Sequence, residues 1–218
     1  MSKGGEGVVQ RIIEGGVVAI VRLPDAANLV RVAEAVYAGG ITAIEFTMTT
    51  PGALEVLAQV TARLGDRVVL GAGTVLDPET ARAAILAGAR YVVAPTLNLE
   101  TIRLCLRYGV PVIPGAYTPT EILQAHEAGA PIVKLFPATA LGPQYLRDVL
   151  APLPHLRLLP TGGVTEETAG AFISAGAVAV AVGSNLVDRA TVASGAMATL
   201  TSRAERLVAV VRQARALQ

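Results

Sequence analysis

The chain has 218 residues, of which 52% are hydrophobic and only 16% are charged. A net charge of +1 without a basic tract, and a total of only eight phenylalanine and tyrosine residues, argue against a nucleic acid as partner. The hydrophobic content favours parallel strands covered by helices, and the length suits one core, so we expect a single domain over residues 1–218.

The beginning of the chain and its longest uncharged stretch bear on where the protein works. Residues 1–7 lack the apolar core of a secretory signal, so we expect a cytoplasmic protein. Residues 168–187 carry no charge and are long enough to span a bilayer, but glycines divide them into an expected helix, turn and buried strand, so we expect no membrane partner. The single cysteine, Cys105, excludes an intrachain disulfide and is expected to be a buried thiol on a helix.

A unit made of a helix end, a glycine turn and a short valine- and alanine-rich run recurs along the chain. Gly88, Gly109 and Gly129 mark three such turns, and their spacings of 21 and 20 residues fit one strand and one helix per unit. We predict strands over residues 17–22, 43–48, 68–74, 91–96, 110–115, 132–136, 158–162 and 177–182. We predict helices over residues 25–38, 51–64, 78–88, 98–108, 119–128, 143–151, 166–175 and 203–216, with an extra helix over residues 5–14.

Eight alternating strand and helix units predict an α/β fold, a single-domain (β/α)8 TIM barrel whose floor is closed by the extra N-terminal helix. In that architecture, active sites lie where the strands end and the following loops begin. A doubly wound open sheet is the alternative, although no glycine-rich dinucleotide fingerprint follows the first predicted strand.

Lysine is nearly absent, since Lys3 and Lys134 are the only two among 18 basic residues. Lys134 lies inside the apolar run IVKLFP over residues 132–137. Burying an unpaired ammonium is costly and lowers the pKa of a lysine, which yields a nucleophilic amine suited to Schiff-base chemistry with a carbonyl substrate. The alternative is that coding bias replaced lysine by arginine elsewhere and that Lys134 is a partnered core residue.

Only three charged residues occur in the predicted strands, namely Arg22, Glu45 and Lys134. Side chains alternate along a strand, so each of the three shares a face with apolar or small residues two positions away. If those faces point into the barrel, an acid, an amine and a guanidinium converge near the ends of the strands, as in barrel enzymes. A purely structural buried ion pair is the alternative.

Two glycine-containing segments predict a phosphate site. The segment TGGV over residues 161–164 follows the seventh predicted strand, and GSN over residues 183–185 follows the eighth. Glycines allow backbone amides to approach an anion, and we expect a short helix after Ser184 to direct its N-terminus at it. The loops after strands seven and eight are the usual phosphate seat of this architecture. The alternative is a pair of tight turns that bind nothing.

Thr74 and the histidines complete the candidate residues. The Thr74 hydroxyl follows GAG at the end of the third predicted strand, where it either binds a carboxylate or caps the next helix. His126 and His155 are 29 residues apart and fit solvated or capping roles, and no spacing of histidine, aspartate and glutamate predicts a metal site.

Four segments resemble those of one known family. They are TAIEFT over residues 42–47, GAGTVL over 71–76, VKLFP over 133–137 and PTGGV over 160–164. In order and spacing they resemble the 2-keto-3-deoxy-6-phosphogluconate (KDPG) and 4-hydroxy-2-oxoglutarate (KHG) aldolase family, from about residue 17 to residue 187. The resemblance implies a class I lyase that needs no metal and no cofactor, acts on a 2-keto acid, usually phosphorylated, and forms a homotrimer of (β/α)8 subunits.

The resemblance also implies roles for individual residues. Lys134 would form the Schiff base, Glu45 would act as general acid and base, and Thr74 would bind the pyruvate carboxylate. Some members carry an arginine where this chain has Thr49, which leaves Arg22 as the guanidinium for a substrate anion. The other implied substrate-binding positions are Thr47, Thr49, Pro95 and Phe136 in the pocket and Thr161, Gly162, Gly163, Gly183 and Ser184 around the phosphate.

Alternatives remain both for the substrate and for the type of reaction. The segment ALGPQY over residues 140–145 also resembles members that act on the galactonate epimer, so that epimer stands beside KDPG and KHG. A sugar-phosphate isomerase would share the phosphate loops but would not require an amine on the sixth strand. A phosphometabolite-binding barrel without catalytic activity would keep the loops and tolerate arginine at position 134.

Overall fold

The computed structural model describes residues 3–217, so residues 1, 2 and 218 of the expected domain lie outside the described residues. Within that range the strands are β1 Val17–Val21, β2 Ala43–Thr47, β3 Val69–Gly73, β4 Tyr91–Val93, β5 Val112–Ile113, β6 Gly115–Ala116, β7 Val133–Leu135, β8 Leu158–Pro160 and β9 Val180–Val182. All strand pairs are parallel, in the orders β5-β4-β3-β2-β1-β9 and β6-β7-β8. The predicted (β/α)8 barrel is confirmed.

The fifth predicted strand differs from the prediction because it is split at Pro114. β5 pairs with β4 and β6 pairs with β7, so the segment leaves one sheet and joins the other. Proline has no N–H to donate to a ladder, which interrupts the strand. Its carbonyl still accepts a hydrogen bond of 2.9 Å from the Lys134 amide, so Pro114 also fixes the backbone of the candidate nucleophile.

The barrel closes between β8 and β9. Thr161 and Ala181 form an isolated parallel bridge, and the Val178 amide donates a hydrogen bond of 3.1 Å to the Leu158 carbonyl. On the other side of β9, the Val180 amide donates to the Gly16 carbonyl at 3.0 Å. The two sheets therefore form one ring of strands.

Most helices lie close to the predicted ranges, but α10 begins six residues before the predicted start and α9 lies outside every predicted range. Their bounds are α1 Lys3–Gly15, α2 Leu29–Ala38, α3 Ala53–Leu64, α4 Pro78–Leu86, α5 Leu99–Arg107, α6 Pro119–Glu127, α7 Gly142–Leu150, α8 Glu166–Ser174, α9 Arg189–Ala193 and α10 Met197–Ala216. Local chemistry explains several starts: Asp77 caps α4, which begins with a proline, and Thr118 forms a capping box with Glu121 at α6. The uncharged stretch 168–187 forms α8, a turn and β9, as expected. None of the helices within residues 3–217 is long and apolar enough to cross a membrane.

Two separate apolar layers follow from the alternation along the strands. The outer layer lies between the strands and the surrounding helices, and includes Cys105 on α5 as expected. The inner layer fills the barrel and is closed below by α1, which contributes Val8, Val9 and Ile12. At the end of the barrel opposite α1, the inward-facing strand positions carry polar side chains, so the candidate catalytic groups lie at that end.

Candidate active site

A cavity of about 530 Å³ opens where the barrel strands end, a volume suited to a small molecule. Ten of the thirteen expected site residues line it: Arg22, Thr74, Pro95, Lys134, Phe136, Thr161, Gly162, Gly163, Gly183 and Ser184. Glu45, Thr47 and Thr49 are not part of its wall. Seven lining residues were not expected as site residues: Ile20, Val164, Ala181, Asn185, Val187, Asp188 and Arg189.

Lys134 occupies the centre of β7 and reaches the cavity with only 6% of its surface exposed. Its Nζ lies 4.9 Å from the centre of the Phe136 ring, and it has no hydrogen-bond partner among the described residues. Burial lowers the pKa of the Lys134 amine; Glu45 opposes this lowering and Arg22 adds to it. The environment therefore favours the neutral, nucleophilic form of the amine.

Glu45 lies on β2 and is 2% exposed. Its carboxylate leans over β3 at Gly73, where a Cβ atom would come within 2.5 Å of Oε1, so only glycine leaves room for it. Burial raises the pKa of the Glu45 carboxyl, against the opposing charges of Lys134 and Arg22. Glu45 and Lys134 do not form an ion pair within 4.0 Å. The raised pKa of Glu45 and the lowered pKa of Lys134 both favour the uncharged forms, so the barrel holds a carboxylic acid and a free amine.

Thr74 has a φ of 59°, in the left-handed region that a β-branched residue rarely adopts. Its hydroxyl accepts a hydrogen bond of 3.4 Å from Arg22 Nη2. The alternative role as a helix cap is wrong, because the Asp77 carboxylate caps α4 by accepting from the Thr80 amide at 2.6 Å. Thr74 is instead held in a strained conformation on the cavity wall, beside a guanidinium.

Thr47 and Thr49 lie beside the cavity rather than on its wall. Thr49 donates a hydrogen bond of 3.0 Å to the Thr47 hydroxyl, which also lies 3.4 Å from the Thr50 hydroxyl. Thr50 in turn accepts from the Leu23 amide at 3.3 Å. This threonine cluster joins the end of β2 to the end of β1, so the structure gives these side chains partners within the protein.

The two glycine loops face the same cavity and are linked to each other. Gly162 and Gly163 have φ values of 89° and 71°, and a Cβ at Gly163 would lie 2.8 Å from the Thr139 backbone. Asn185 Nδ2 donates to the Val164 carbonyl at 2.9 Å, which ties the loop after β9 to the loop after β8. The loops therefore form one continuous section of wall.

The short helix after β9 begins later than expected, and it brings one further residue, Arg189, to the cavity. α9 begins at Arg189, not directly after Ser184, and the Asp188 carboxylate already accepts from the Thr191 amide at its N-terminus. The helix end is thus capped by the protein itself. Arg189 lines the cavity and has no hydrogen bond or ion pair with the described residues. The Asp-x-x-Thr spacing, typical of a helix start, was the sequence signal that could have found this segment.

Among residues 3–217 no group of three or more histidine, cysteine, aspartate or glutamate side chains is placed to hold a metal ion. His126 and His155 pack edge to face, with ring centres 5.1 Å apart. Neither lines the cavity.

Comparison with known proteins identifies the family. The family model for KDPG and KHG aldolases matches residues 8–202. The chain is 36% identical over 196 residues to the 2-dehydro-3-deoxy-phosphogluconate aldolase of Treponema pallidum, covering 89% of this chain and 93% of that one. It is 38% identical over 153 residues to the 2-dehydro-3-deoxy-6-phosphogalactonate aldolase of Escherichia coli, covering 70% and 75%.

A solved structure agrees with these matches. The KDPG aldolase of Legionella pneumophila, captured with pyruvate as a covalent carbinolamine, superposes with a TM-score of 0.83 at 26% identity, covering 90% of this chain and 96% of that one. The fold and these matches define a class I aldolase, a carbon–carbon lyase. The chain belongs to the KDPG and KHG aldolase family.

Proposed function

We propose that the protein cleaves 2-keto-3-deoxy-6-phosphogluconate to pyruvate and glyceraldehyde 3-phosphate, with 4-hydroxy-2-oxoglutarate as a second substrate that yields pyruvate and glyoxylate. One observation carries the proposal: the buried Lys134 amine, with its pKa lowered by burial, reaches a cavity at the open end of the barrel. A merely structural lysine would be paired with an acceptor, and this one has none among the described residues.

The Lys134 amine would begin the reaction by attacking the C2 keto carbon. The resulting carbinolamine loses water, with Glu45 protonating the departing hydroxyl through a bridging water because Glu45 lies behind the cavity wall, and leaves a protonated imine that withdraws electrons from the C3–C4 bond. Glu45, now ionised, accepts the proton of the C4 hydroxyl while that bond breaks, giving the aldehyde and an enamine. Protonation of the enamine at C3 and hydrolysis of the imine release pyruvate and restore the amine. Proton transfer of this kind contributes roughly 10²–10⁴-fold to the rate.

The cavity wall supplies groups for both ends of the substrate. Thr74 and Arg22 would bind the carboxylate next to the keto group, and Pro95 and Phe136 would wall the pyruvate moiety. These contacts would hold the keto carbon next to the Lys134 amine in the orientation that the attack requires, which lowers the entropic part of the barrier.

The linked glycine loops would hold the distal phosphate, with backbone amides near Gly162, Gly163 and Gly183 and the Ser184 hydroxyl. Arg189 supports a phosphorylated substrate, since it is an unpaired cation of the described chain that lines the same cavity. The relation to the E. coli phosphogalactonate enzyme supports the galactonate epimer as the alternative to KDPG.

Three further features of the protein are part of the proposal. We propose that residues 1–218 act as one catalytic domain and that the protein is a homotrimer, which the family membership and the exposed Leu76, Leu86 and Leu99 support. Size-exclusion chromatography with light scattering measures the subunit number. We also propose the cytoplasm as its compartment, which suits a lone thiol whose burial raises the pKa of Cys105 to about 12 and keeps it inert.

Borohydride trapping tests the function. The protein is incubated with pyruvate and sodium borohydride, and its intact mass is measured. We expect a single reduced pyruvate adduct in the wild type and none in Lys134→Met. Cleavage of KDPG, its galactonate epimer and KHG is then measured on the same samples. An adduct that persists in Lys134→Met would remove this lysine from the mechanism.

A further inference from the structure

The Tyr91 hydroxyl is the feature that the proposed mechanism leaves unexplained. Tyr91 begins β4, points into the barrel and is fully buried. Its hydroxyl and that of Thr101 on α5 are the two side-chain polar atoms of the described residues that are closed to solvent and have no hydrogen-bond partner, whereas the Lys134 side chain lines the open cavity. Leaving a buried hydroxyl unpaired is costly, so a tyrosine where phenylalanine would fill the same space points to a partner.

The backbone register brings Tyr91 and Glu45 to the same level of the barrel. Glu45 is paired with Gly71 across β2 and β3, and Gly71 is paired with Tyr91 across β3 and β4. Both side chains point inward, so they flank a strand that contributes no side chain between them. At Gly71 a Cβ would lie 2.4 Å from Tyr91 Cζ, which places the hydroxyl end of the ring directly over β3.

The glycine at the next inward position of β3 completes the geometry. The Glu45 carboxylate lies over Gly73, as the tyrosine ring lies over Gly71. Two positions along a strand are roughly 7 Å apart. The phenol oxygen makes no hydrogen bond to the carboxylate in the structure, so a turn of the carboxylate or one water molecule would join the two groups. The two glycines together provide the space in which a tyrosine hydroxyl and an acid can meet.

We propose that Tyr91 is a positioning residue for Glu45, whose hydroxyl donates a hydrogen bond to the ionised carboxylate directly or across one water molecule. The inference rests on the proposed role of Glu45. The charged and titratable groups acting on Glu45 are Lys134 on β7, Arg22 at the end of β1 and Tyr91 on β4. Burial and the nearby Glu45 charge raise the pKa of the Tyr91 phenol well above its usual range, so it remains a donor throughout. Its donation stabilises the anion that accepts the C4 hydroxyl proton.

Tyr91→Phe tests the inference because it deletes the oxygen and keeps the ring over Gly71. At saturating substrate Lys134 is occupied as the imine, so the acid limb of kcat reports the ionisation of Glu45. Losing a donor to the anion should move that limb to higher pH by about one unit. Thr101→Val, which deletes the other unpaired hydroxyl, should leave the limb in place. A Tyr91→Phe limb that superposes on wild type, or a loss of kcat equal at all pH values, would overturn the proposal.

A stability measurement without substrate separates this inference from the proposed function. We expect Tyr91→Phe to lower Tm at alkaline pH, where Glu45 is ionised, and to have a smaller effect at acidic pH or in a Glu45→Gln background. Thr101→Val should raise Tm at every pH, as the loss of an unpaired group does. If Tyr91→Phe raises Tm in the same pH-independent way, the hydroxyl has no link to Glu45 and the inference is wrong. That result is readable even in a protein that forms no pyruvate adduct.

Discussion

Replacing Lys134 by methionine should make the fold more stable at neutral pH even though it removes the nucleophile. Methionine is a flexible, apolar side chain of similar length, and it replaces a buried amine that has no hydrogen-bond partner among the described residues. Leaving such a polar group unpaired costs about 1–3 kcal/mol, so we expect a gain of that size in the free energy of unfolding. For a chain of this length, the corresponding rise in Tm is about 2–12 °C.

The gain should depend on pH in a defined direction. Burial lowers the pKa of the folded Lys134 amine below its usual value of 10.5. Between the lowered pKa and 10.5 the unfolded chain binds more protons than the folded chain, so the wild-type free energy of unfolding rises with pH in that window. The methionine variant lacks this titration, and its advantage should therefore shrink as the pH approaches 10.5.

Denaturant unfolding of both proteins at several pH values from about 7 to about 10 measures the effect. Because the substitution also removes a titratable amine that acts on Glu45, the pair Glu45→Gln and Glu45→Gln with Lys134→Met is the control, in which the neighbouring carboxyl cannot titrate. A variant less stable than wild type at neutral pH, or an advantage of constant size across the range, would refute the account of Lys134 as an amine kept neutral by burial.

Three further predictions concern the cavity. Thr74→Gly relieves the strain of the left-handed backbone and should leave Tm unchanged or higher. The same variant should raise KM about 10-fold or more, because a hydrogen bond to the substrate carboxylate is lost. The control Thr74→Ser keeps the hydroxyl and should keep KM. Gly73→Ala forces the Glu45 carboxylate to move and should lower kcat about 10²-fold, whereas Gly7→Ala, with no atom within 4 Å of the added methyl, should not change kcat. Arg189→Ala should raise KM for KDPG about 10-fold without raising KM for the unphosphorylated KHG, and equal effects on both would contradict the phosphate role.

The sequence predicted the barrel because its local signals agree with one another. Glycine turns at the helix ends, prolines at the starts of α4 and α6 and short apolar runs all indicate the same period. Three charges, Arg22, Glu45 and Lys134, interrupt the otherwise apolar predicted strands. The family resemblance added the expected roles. The prediction of one continuous fifth strand was wrong. Pro114 divides it into β5 and β6, and only the pairing of each half with a different neighbouring strand shows the division.

Other parts of the site depend on contacts between distant segments, which a single sequence does not show. Thr74 as a possible helix cap was wrong because Asp77, three residues later, takes that place. Tyr91 in an apolar run is typical of plain core, and only the register of β2, β3 and β4 brings it level with Glu45. Arg189 follows a turn whose path depends on the bond from Asn185 to the neighbouring loop.

The plugged lower end of the barrel has a kinetic consequence. Because Val8, Val9 and Ile12 of α1 fill that end, reactants and products enter and leave through the same opening of the cavity. Under the proposed mechanism the pyruvate fragment stays covalently attached to Lys134, deep in the barrel, while the aldehyde occupies the outer part of the passage. We therefore expect strictly ordered turnover, in which the aldehyde departs before pyruvate during cleavage and pyruvate enters first during carbon–carbon bond formation.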